Sequence, residues 1–285
     1  MIPAAFDYAR PGSIAEAVSA LGAAGEDGKV LAGGQSLIPV LRLRMAYPSV
    51  LVDVGRIPEL QGVRDDGDAI MIGAMTTHHA VMHDELVRQH APLIAQATAT
   101  VADPQVRHRG TFGGALSHAD PAGDLGAVAL ALGAEFVASG PGGERRIAAA
   151  DFFVDYLTTA LSPDEILTAI RVPKLGAGWT SHYEKFNRVA QAWSIVGVAA
   201  LVRRDNGAIA EARVALTNMG PTPLRASAVE QSLAGADASA EGITAAAAHA
   251  AEGTSAPSDL SGNADYREHL ARVLTARAVR TAAGA

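Results

Sequence analysis

Two short glycine-centred segments hold the residues best suited to chemistry, Ala32-Gly33-Gly34-Gln35-Ser36 and Thr111-Phe112-Gly113-Gly114-Ala115-Leu116-Ser117. Glycines lack a Cβ, so the backbone there can approach another group closely, and consecutive N–H groups at the start of a helix can converge on an anion. The first segment follows the strand-like Lys29-Val30-Leu31 and precedes a helix signal that begins at Leu37. A third pair, Gly142-Gly143, stands after Pro141 in a hairpin signal, where a turn accounts for it. With 29 glycines in 285 residues, three Gly-Gly pairs are what chance delivers, so position rather than number carries the signal. Two anion-binding loops suit a dinucleotide, whose phosphates need partners from more than one side; ordinary tight turns are the competing reading. Neither a G-x-G-x-x-G after a strand nor a G-K-[ST] P-loop is present, which disfavours a standard NAD or ATP site.

Other candidates read more plainly. His78, His79 and His83 fall on a predicted helix, and His79 with His83 has the i, i+4 spacing of a metal pair. No H-E-x-x-H is formed and no third ligand is evident, so a solvated helix face is expected and no metal site. His108 and His118 flank the second segment. Asp120 and Asp124 adjoin Pro121 and Gly123, a setting that suits a helix start with one of them as its N-cap. Arg107 and Arg109 face either phosphate or solvent, Arg42 and Arg44 can meet a partner subunit, and Arg145-Arg146 and Arg203-Arg204 read as solvated strand ends. No acid–base constellation emerges, so no catalytic residue is assigned.

The elements that must position these groups follow from pattern. Ser13 and Glu16 form a capping box before a helix that Gly22 and Gly25 stop. Strands are predicted at 29–31 and 50–54, so the first fifty-odd residues read as β-α-β. A strand over 69–74 precedes helices over 76–84 and 86–101, the latter ended by Asp103-Pro104-Gln105, with a polar loop leading to Thr111. A helix over 125–132, strands over 135–138 and 166–172, and a linker at Lys174-Leu175-Gly176-Ala177-Gly178 follow. Beyond the linker come strands at 180–186, 194–203 and 209–217, with Asp205-Asn206-Gly207 turning the last hairpin, and a mostly helical tail broken near Pro257. The whole reads as an α+β protein.

Composition narrows the function classes. Apolar residues are 49% and charged residues 19%, which fits a soluble globular chain. A net charge of -7 argues against broad nucleic-acid binding. There are no cysteines, so disulfides, thiolate chemistry and cysteine-ligated iron–sulfur clusters are excluded from this chain. No signal peptide or membrane-spanning run is read, and the cytoplasm is expected, with the inner face of the cell membrane reached through a partner.

Taken in order, Ala32-Gly33-Gly34-Gln35-Ser36-Leu37-Ile38-Pro39, Asp103-Pro104-Gln105-Val106-Arg107, Arg109 to Gly114, Asp120-Pro121 with Asp124, Glu165-Ile166-Leu167, Tyr183-Glu184-Lys185-Phe186 and Thr217 to Arg225 cover nearly the whole chain. This ordered set resembles the FAD-binding medium subunit of the molybdenum hydroxylases, the xanthine dehydrogenase and aerobic carbon monoxide dehydrogenase family, and looks most like the carbon monoxide subgroup. The resemblance implies a two-subdomain PCMH-type FAD-binding domain followed by a C-terminal α+β domain, an antiparallel sheet with helices. The boundaries it implies are 1–57, 58–175 and 179–285. It also implies an oxidoreductase subunit that takes electrons from iron–sulfur clusters and passes them through FAD to an external acceptor such as a quinone. A large subunit would carry the molybdenum cofactor and a small one the 2Fe-2S clusters, in a heterohexameric dimer of heterotrimers. The substrate would be carbon monoxide, oxidised with water to CO2; purines, aldehydes and N-heterocycles stay open, because that chemistry belongs to the large subunit. A self-standing FAD oxidase and a cofactor-free interaction domain are the other readings.

Carried over by residue, the resemblance gives the pyrophosphate to the backbone of Ala32, Gly33, Gly34, Gln35 and Ser36 and to the loop of Thr111, Phe112, Gly113, Gly114 and Ala115. Asp124 would accept hydrogen bonds from cofactor hydroxyls, Leu167 would pack near the flavin, Lys185 would lend it positive charge, and Trp193 would offer an aromatic surface. Leu37, Ser117 and Asp120 complete the expected set. Phe112, Ala115 and Ala192 depart from the family pattern, which prefers Ile or Val, Asn or Asp, and Asp at those places.

Overall fold

The Ser13 hydroxyl accepts a hydrogen bond from the Glu16 amide, and the Glu16 carboxylate reaches back to the Gly12 amide at 2.7 Å. This reciprocal cap starts α1 (Ile14–Ala24) in a computed structural model that describes residues 2–285. The first unit is a parallel sheet of β1 (Asp7–Ala9), β2 (Gly28–Leu31) and β3 (Val50–Asp53) in the order β1-β3-β2, with α2 (Leu37–Arg42) in the β2–β3 crossover. Its own small core joins Ala17 and Leu21 of α1 to Val52, Ile57 and Leu60.

The second unit is a five-stranded antiparallel sheet in the order β4-β5-β10-β6-β7. Its strands are β4 (Val63–Asp66), β5 (Ala69–Gly73), β6 (Glu135–Gly140), β7 (Gly143–Ala148) and β10 (Ile166–Pro173). Helices α3 (His78–His83), α4 (Glu85–His90), α5 (Pro92–Ala99), α6 (Pro104–Arg107), α7 (Phe112–His118) and α8 (Asp124–Leu132) lie between β5 and β6. A short α9 (Ala149–Phe152) and the ribbon of β8 (Phe153–Asp155) and β9 (Thr158–Thr159) lead into β10. The helix expected over 86–101 is broken. Pro92 begins a new helix, and Ala91 before it takes φ -144°, as a residue before proline must leave the helical region. Likewise Asp103 does not begin a loop: its carboxylate caps α6 through the Val106 amide at 2.9 Å, with Pro104 in the first turn.

The third unit is the antiparallel sheet β11-β12-β13-β14, formed by Trp179–Phe186, Val196–Asp205, Ala208–Thr217 and Leu224–Arg225. Asn206 and Gly207 both have positive φ, 48° and 88°, as the Asp-Asn-Gly hairpin demands. Helices α10 (Ser227–Leu233), α11 (Ala240–Ala247) and the long α12 (Ala264–Ala283) cover one face of this sheet. Along β12 the side chains alternate: Val196, Val198, Ala200 and Val202 face that helical layer, while Ala199 and Leu201 join the core of the second unit. The chain thus has the α+β architecture, with an antiparallel C-terminal sheet packed against helices.

Candidate functional site

The first glycine segment connects β2 to α2, and Gly34 takes φ +74°, a conformation that favours glycine. Its carbonyl accepts the Ile38 amide at 3.1 Å and so opens the helix. Among the described residues, the amides of Ala32 through Leu37 donate to no acceptor of the chain, and the Ser36 hydroxyl makes no capping bond. Six successive donors left without a partner in the chain at one bend are the kind of backbone that can receive an anion.

The second segment is built differently. The Phe112 amide donates to Thr76 O and that of Gly113 to Ala74 O, both at 2.9 Å, while Gly114 donates to its own cap, Thr111 Oγ1, at 3.2 Å. Phe112 is fully buried, and its bulk is absorbed by the core beneath α7. The glycines here serve approach within the protein. A Cβ on Gly113 would lie 2.5 Å from the Ala74 Cβ, and one on Gly114 would lie 3.2 Å from the Ala32 Cβ. A Cβ on Gly33 would stand 2.2 Å from Arg109 O. The two segments therefore touch, the first supplying open amides and the second a wall; on that wall Ala115 is exposed and Ser117 half-buried.

Beyond this wall, Asp124 and Lys185 meet. Lys185 Nζ donates to Asp124 Oδ2 at 2.8 Å and to Thr100 O at 3.1 Å, and both side chains are almost wholly buried. Asp124 Oδ1 accepts from Tyr183 OH at 2.7 Å and Ser194 Oγ at 2.6 Å. Burial, and then the Asp124 charge, push the Tyr183 hydroxyl well above its ordinary pKa, so it remains a donor. Tyr183 and Ser194 were not among the expected site residues. The period-two spacing of Tyr183 and Lys185 on one strand was the available signal. Neither Asp120 nor Asp124 is the N-cap of α8: Gly123 holds that position, Asp120 Oδ1 instead accepts the Ala122 amide at 2.9 Å, and Asp124 is the first helical residue. There its charge also meets the positive end of the helix.

Leu167 sits at a β-bulge between β10 and β6, where the register slips between Leu167 and Ala169, and its side chain is buried. Trp193 keeps 53% of its surface exposed and lies 6.4 Å, ring to ring, from His118. Trp193 and Asp120 border a cleft of about 640 Å³ that runs to Asn218 and Arg267 of the C-terminal unit. Arg267 is fully buried and spoken for, donating to Ile195 O, Gly262 O and Asp259.

The histidines depart from a plain solvated face. His78 is only 3% exposed, and burial, reinforced by the Arg107 charge, lowers its pKa to about 4. The His79 ring lies between His83 at 4.4 Å and His108, stacked at 3.9 Å. Among the described residues no group of three or more His, Cys, Asp or Glu side chains is placed to hold a metal ion. Arg107 is half-buried, and its Nη1 donates to Val101 O and Ala102 O. Arg145 and Arg203 pair with Glu165 and Glu211.

Residues 4–175 match the family described as the FAD binding domain in molybdopterin dehydrogenase, and residues 181–282 the CO dehydrogenase flavoprotein C-terminal domain. The chain is similar to the carbon monoxide dehydrogenase medium chain of Hydrogenophaga pseudoflava, 41% identical over 284 residues that cover 99% of this chain and 98% of the relative. It is 40% identical over 282 residues to the medium chain of Afipia carboxidovorans, covering 99% of this chain and 98% of that one. A solved carbon monoxide dehydrogenase of Hydrogenophaga pseudoflava, lacking the Mo-pyranopterin moiety of its molybdenum cofactor, is similar with a TM-score of 0.96 at 42% identity, covering 99% of this chain and 98% of that one. The open amide cradle between two touching loops, the order of the units and this end-to-end likeness agree: the chain belongs to the family of FAD-binding subunits of the molybdopterin dehydrogenases, in the form that ends in a carbon monoxide dehydrogenase flavoprotein domain.

Proposed function

We propose that this chain is the FAD-carrying electron-transfer subunit of a molybdenum-containing hydroxylase that oxidises carbon monoxide with water to CO2. The likeness to carbon monoxide dehydrogenase medium chains over 99% of the chain carries this reading. When bound, FAD supplies the redox chemistry that links iron–sulfur clusters of a small partner subunit to an external acceptor such as a quinone. The molybdenum cofactor belongs to a large partner subunit, and the assembly is a dimer of heterotrimers.

This chain's own contribution is to bind, orient and shield. The amides of Ala32, Gly33, Gly34, Gln35, Ser36 and Leu37 take the pyrophosphate. Thr111, Phe112, Gly113, Gly114, Ala115 and Ser117 form the wall against which it lies. Asp120 and Asp124 lie toward the cofactor's hydroxyls, and Leu167 and Trp193 offer apolar and aromatic surface to its ring. Lys185 brings a positive charge beside it, compensated within the protein by Asp124. The proposed division is a first FAD-binding subdomain over 1–57, a second over 58–175 and the flavoprotein C-terminal domain over 179–285, in keeping with the separate sheets. The proposed location is the cytoplasm, with the inner membrane face reached through partners; among the described residues no helix is long and apolar enough to cross a membrane.

The test is purification of the native complex, with identification of its subunits and bleaching of the flavin absorbance by candidate substrates. Bleaching by carbon monoxide, with two larger and smaller partners present, is expected. Bleaching by xanthine, an aldehyde or an N-heterocycle alone would move the assignment to another hydroxylase of the family. A chain that purifies alone and oxidises a small alcohol or sugar by itself would overturn it.

A further inference from the structure

The buried charge pair is held from two sides. Asp124 comes from the start of α8 in the second unit, whereas both neutral donors on its Oδ1 come from the C-terminal unit: Tyr183 on β11, and Ser194 in the segment just before β12. The Tyr183 hydroxyl is seated with care. A Cβ on Gly197 would lie 2.4 Å from it, and Thr217 Oγ1 stands 3.4 Å away. The Ser194 segment is also stitched to the second unit by backbone, with Ser194 N donating to Ala122 O at 3.4 Å and Asn218 N to Pro121 O at 2.9 Å. Asn218 Nδ2 in turn donates to Ser194 O at 2.7 Å.

Two donors on one carboxylate oxygen fix the plane of the group, and the other oxygen is thereby aimed at Lys185. An ammonium and a carboxylate 2.8 Å apart largely cancel in the field they project outward. How far they cancel depends on that geometry. Ser194 is moreover the residue after Trp193, so the same anchor sets where the exposed indole stands.

We propose that Tyr183 and Ser194 are positioning residues for the flavin: by clamping Asp124 onto Lys185 they set both the charge that the bound cofactor meets and how firmly it is retained. This rests on the reading that the Asp124–Lys185 pair borders the flavin. Neither residue touches the cofactor in this account; both act through Asp124.

The test uses the assembled complex, stripped of flavin and titrated with FAD by fluorescence, with the midpoint potential of the bound flavin measured in parallel. Tyr183→Phe and Ser194→Ala are each expected to raise the FAD dissociation constant about tenfold, the scale of one hydrogen bond to a charged group, and to shift the potential. Ser194→Thr, which keeps a hydroxyl, restores both. In an Asp124→Asn background the same two substitutions should change neither quantity further, because their route is removed. Equal losses in both backgrounds would reduce Tyr183 and Ser194 to packing and overturn the clamp. So would unchanged binding and potential in the single variants while Lys185→Met and Asp124→Asn shift them. If Lys185→Met and Asp124→Asn themselves leave binding and potential untouched, the pair does not border the flavin, and the reading beneath the proposal fails instead. Should Tyr183→Phe fail to assemble, Ser194→Ala, which deletes a single oxygen, carries the same comparison.

Discussion

At the scale of single residues, the decisive glycines are those whose missing Cβ another atom occupies. Gly33 packs against the Arg109 carbonyl and the Gly110 Cα, where an added Cβ would stand 2.2 and 2.8 Å away. The contact is backbone on backbone, so no rotamer change relieves it. Gly142, in the third Gly-Gly pair, has nothing within 4 Å of its ideal Cβ and no positive φ. Gly33→Ala is therefore expected to spread the two segments and lower FAD retention roughly tenfold, the consequence of about 1–2 kcal/mol of strain at the cradle. Gly142→Ala should keep its full complement of flavin. The ratio of flavin to protein absorbance after gel filtration measures both, and equal retention would remove Gly33 from the site's architecture. The same comparison shows what the sequence could carry. Flanking residues set Gly142-Gly143 apart as a hairpin; what the other two pairs pack against depends on atoms contributed by residues 74, 109 and 110, and local pattern does not report those.

At the scale of elements, α3 is pinned to the second segment by His78. Its amide donates to Gly110 O at 3.0 Å, and its ring lies against Gly110 with Nδ1 lacking a hydrogen-bond partner in the protein. Three histidines within six residues suggest a wet face, yet helical geometry turns adjacent residues about a hundred degrees apart, so His78 faces inward while His79 and His83 are more exposed. Pro92 interrupts the helix expected over 86–101, and Asp103-Pro104, expected only to end a helix, also opens α6, since proline ends one helix and opens the next equally well. Strands fared better, because alternation and Asp-Asn-Gly chemistry act locally. His78 gives the fold a pH dependence whose sign is fixed. Its folded pKa, about 4, lies below the ordinary 6.5, so the unfolded chain takes up the proton first as the pH falls. Its contribution is fully present above pH 6.5, is lost between 6.5 and 4, and levels off below; the size is about 3 kcal/mol. Urea unfolding at pH 7 and at pH 4.5 should show a smaller loss for His78→Leu than for the wild-type chain. Parallel losses in the two proteins would sink the assignment.

At the scale of the whole molecule, the apparent linker is not a free hinge. Lys174 pairs with Asp65 at 2.7 Å, and the Leu175 amide donates to His90 O at 3.2 Å, so the chain is fastened as it leaves β10. Beyond it the C-terminal sheet is a shared layer. One face packs on α10, α11 and α12, and the other sends Tyr183, Ala199, Leu201 and Ala215 into the same core as Leu125, Val128 and Phe136 of the second unit. Composition and the glycine-rich run at 174–178 marked a change of unit, but the sharing of a core was not visible, because β12 is apolar on both faces and reads the same whether a partner layer is near or remote in sequence. Independent domains joined by a hinge unfold in separate steps, whereas units that share a core and a buried charge pair do not. We therefore expect the second and third units of the flavin-free chain to melt in one calorimetric transition, with the fluorescence of Trp179 and Trp193 and the helical circular dichroism following the same curve. A fragment comprising residues 179–285 would expose Ala199, Leu201 and Ala215 as an uncovered sheet face and leave the Tyr183 and Lys185 partners on the missing half. It should accordingly be insoluble or lack a cooperative transition. A soluble fragment with a sharp transition of its own, or separate tryptophan and helix transitions in the full chain, would show that the two units fold apart and that Asp124 is gripped only after docking.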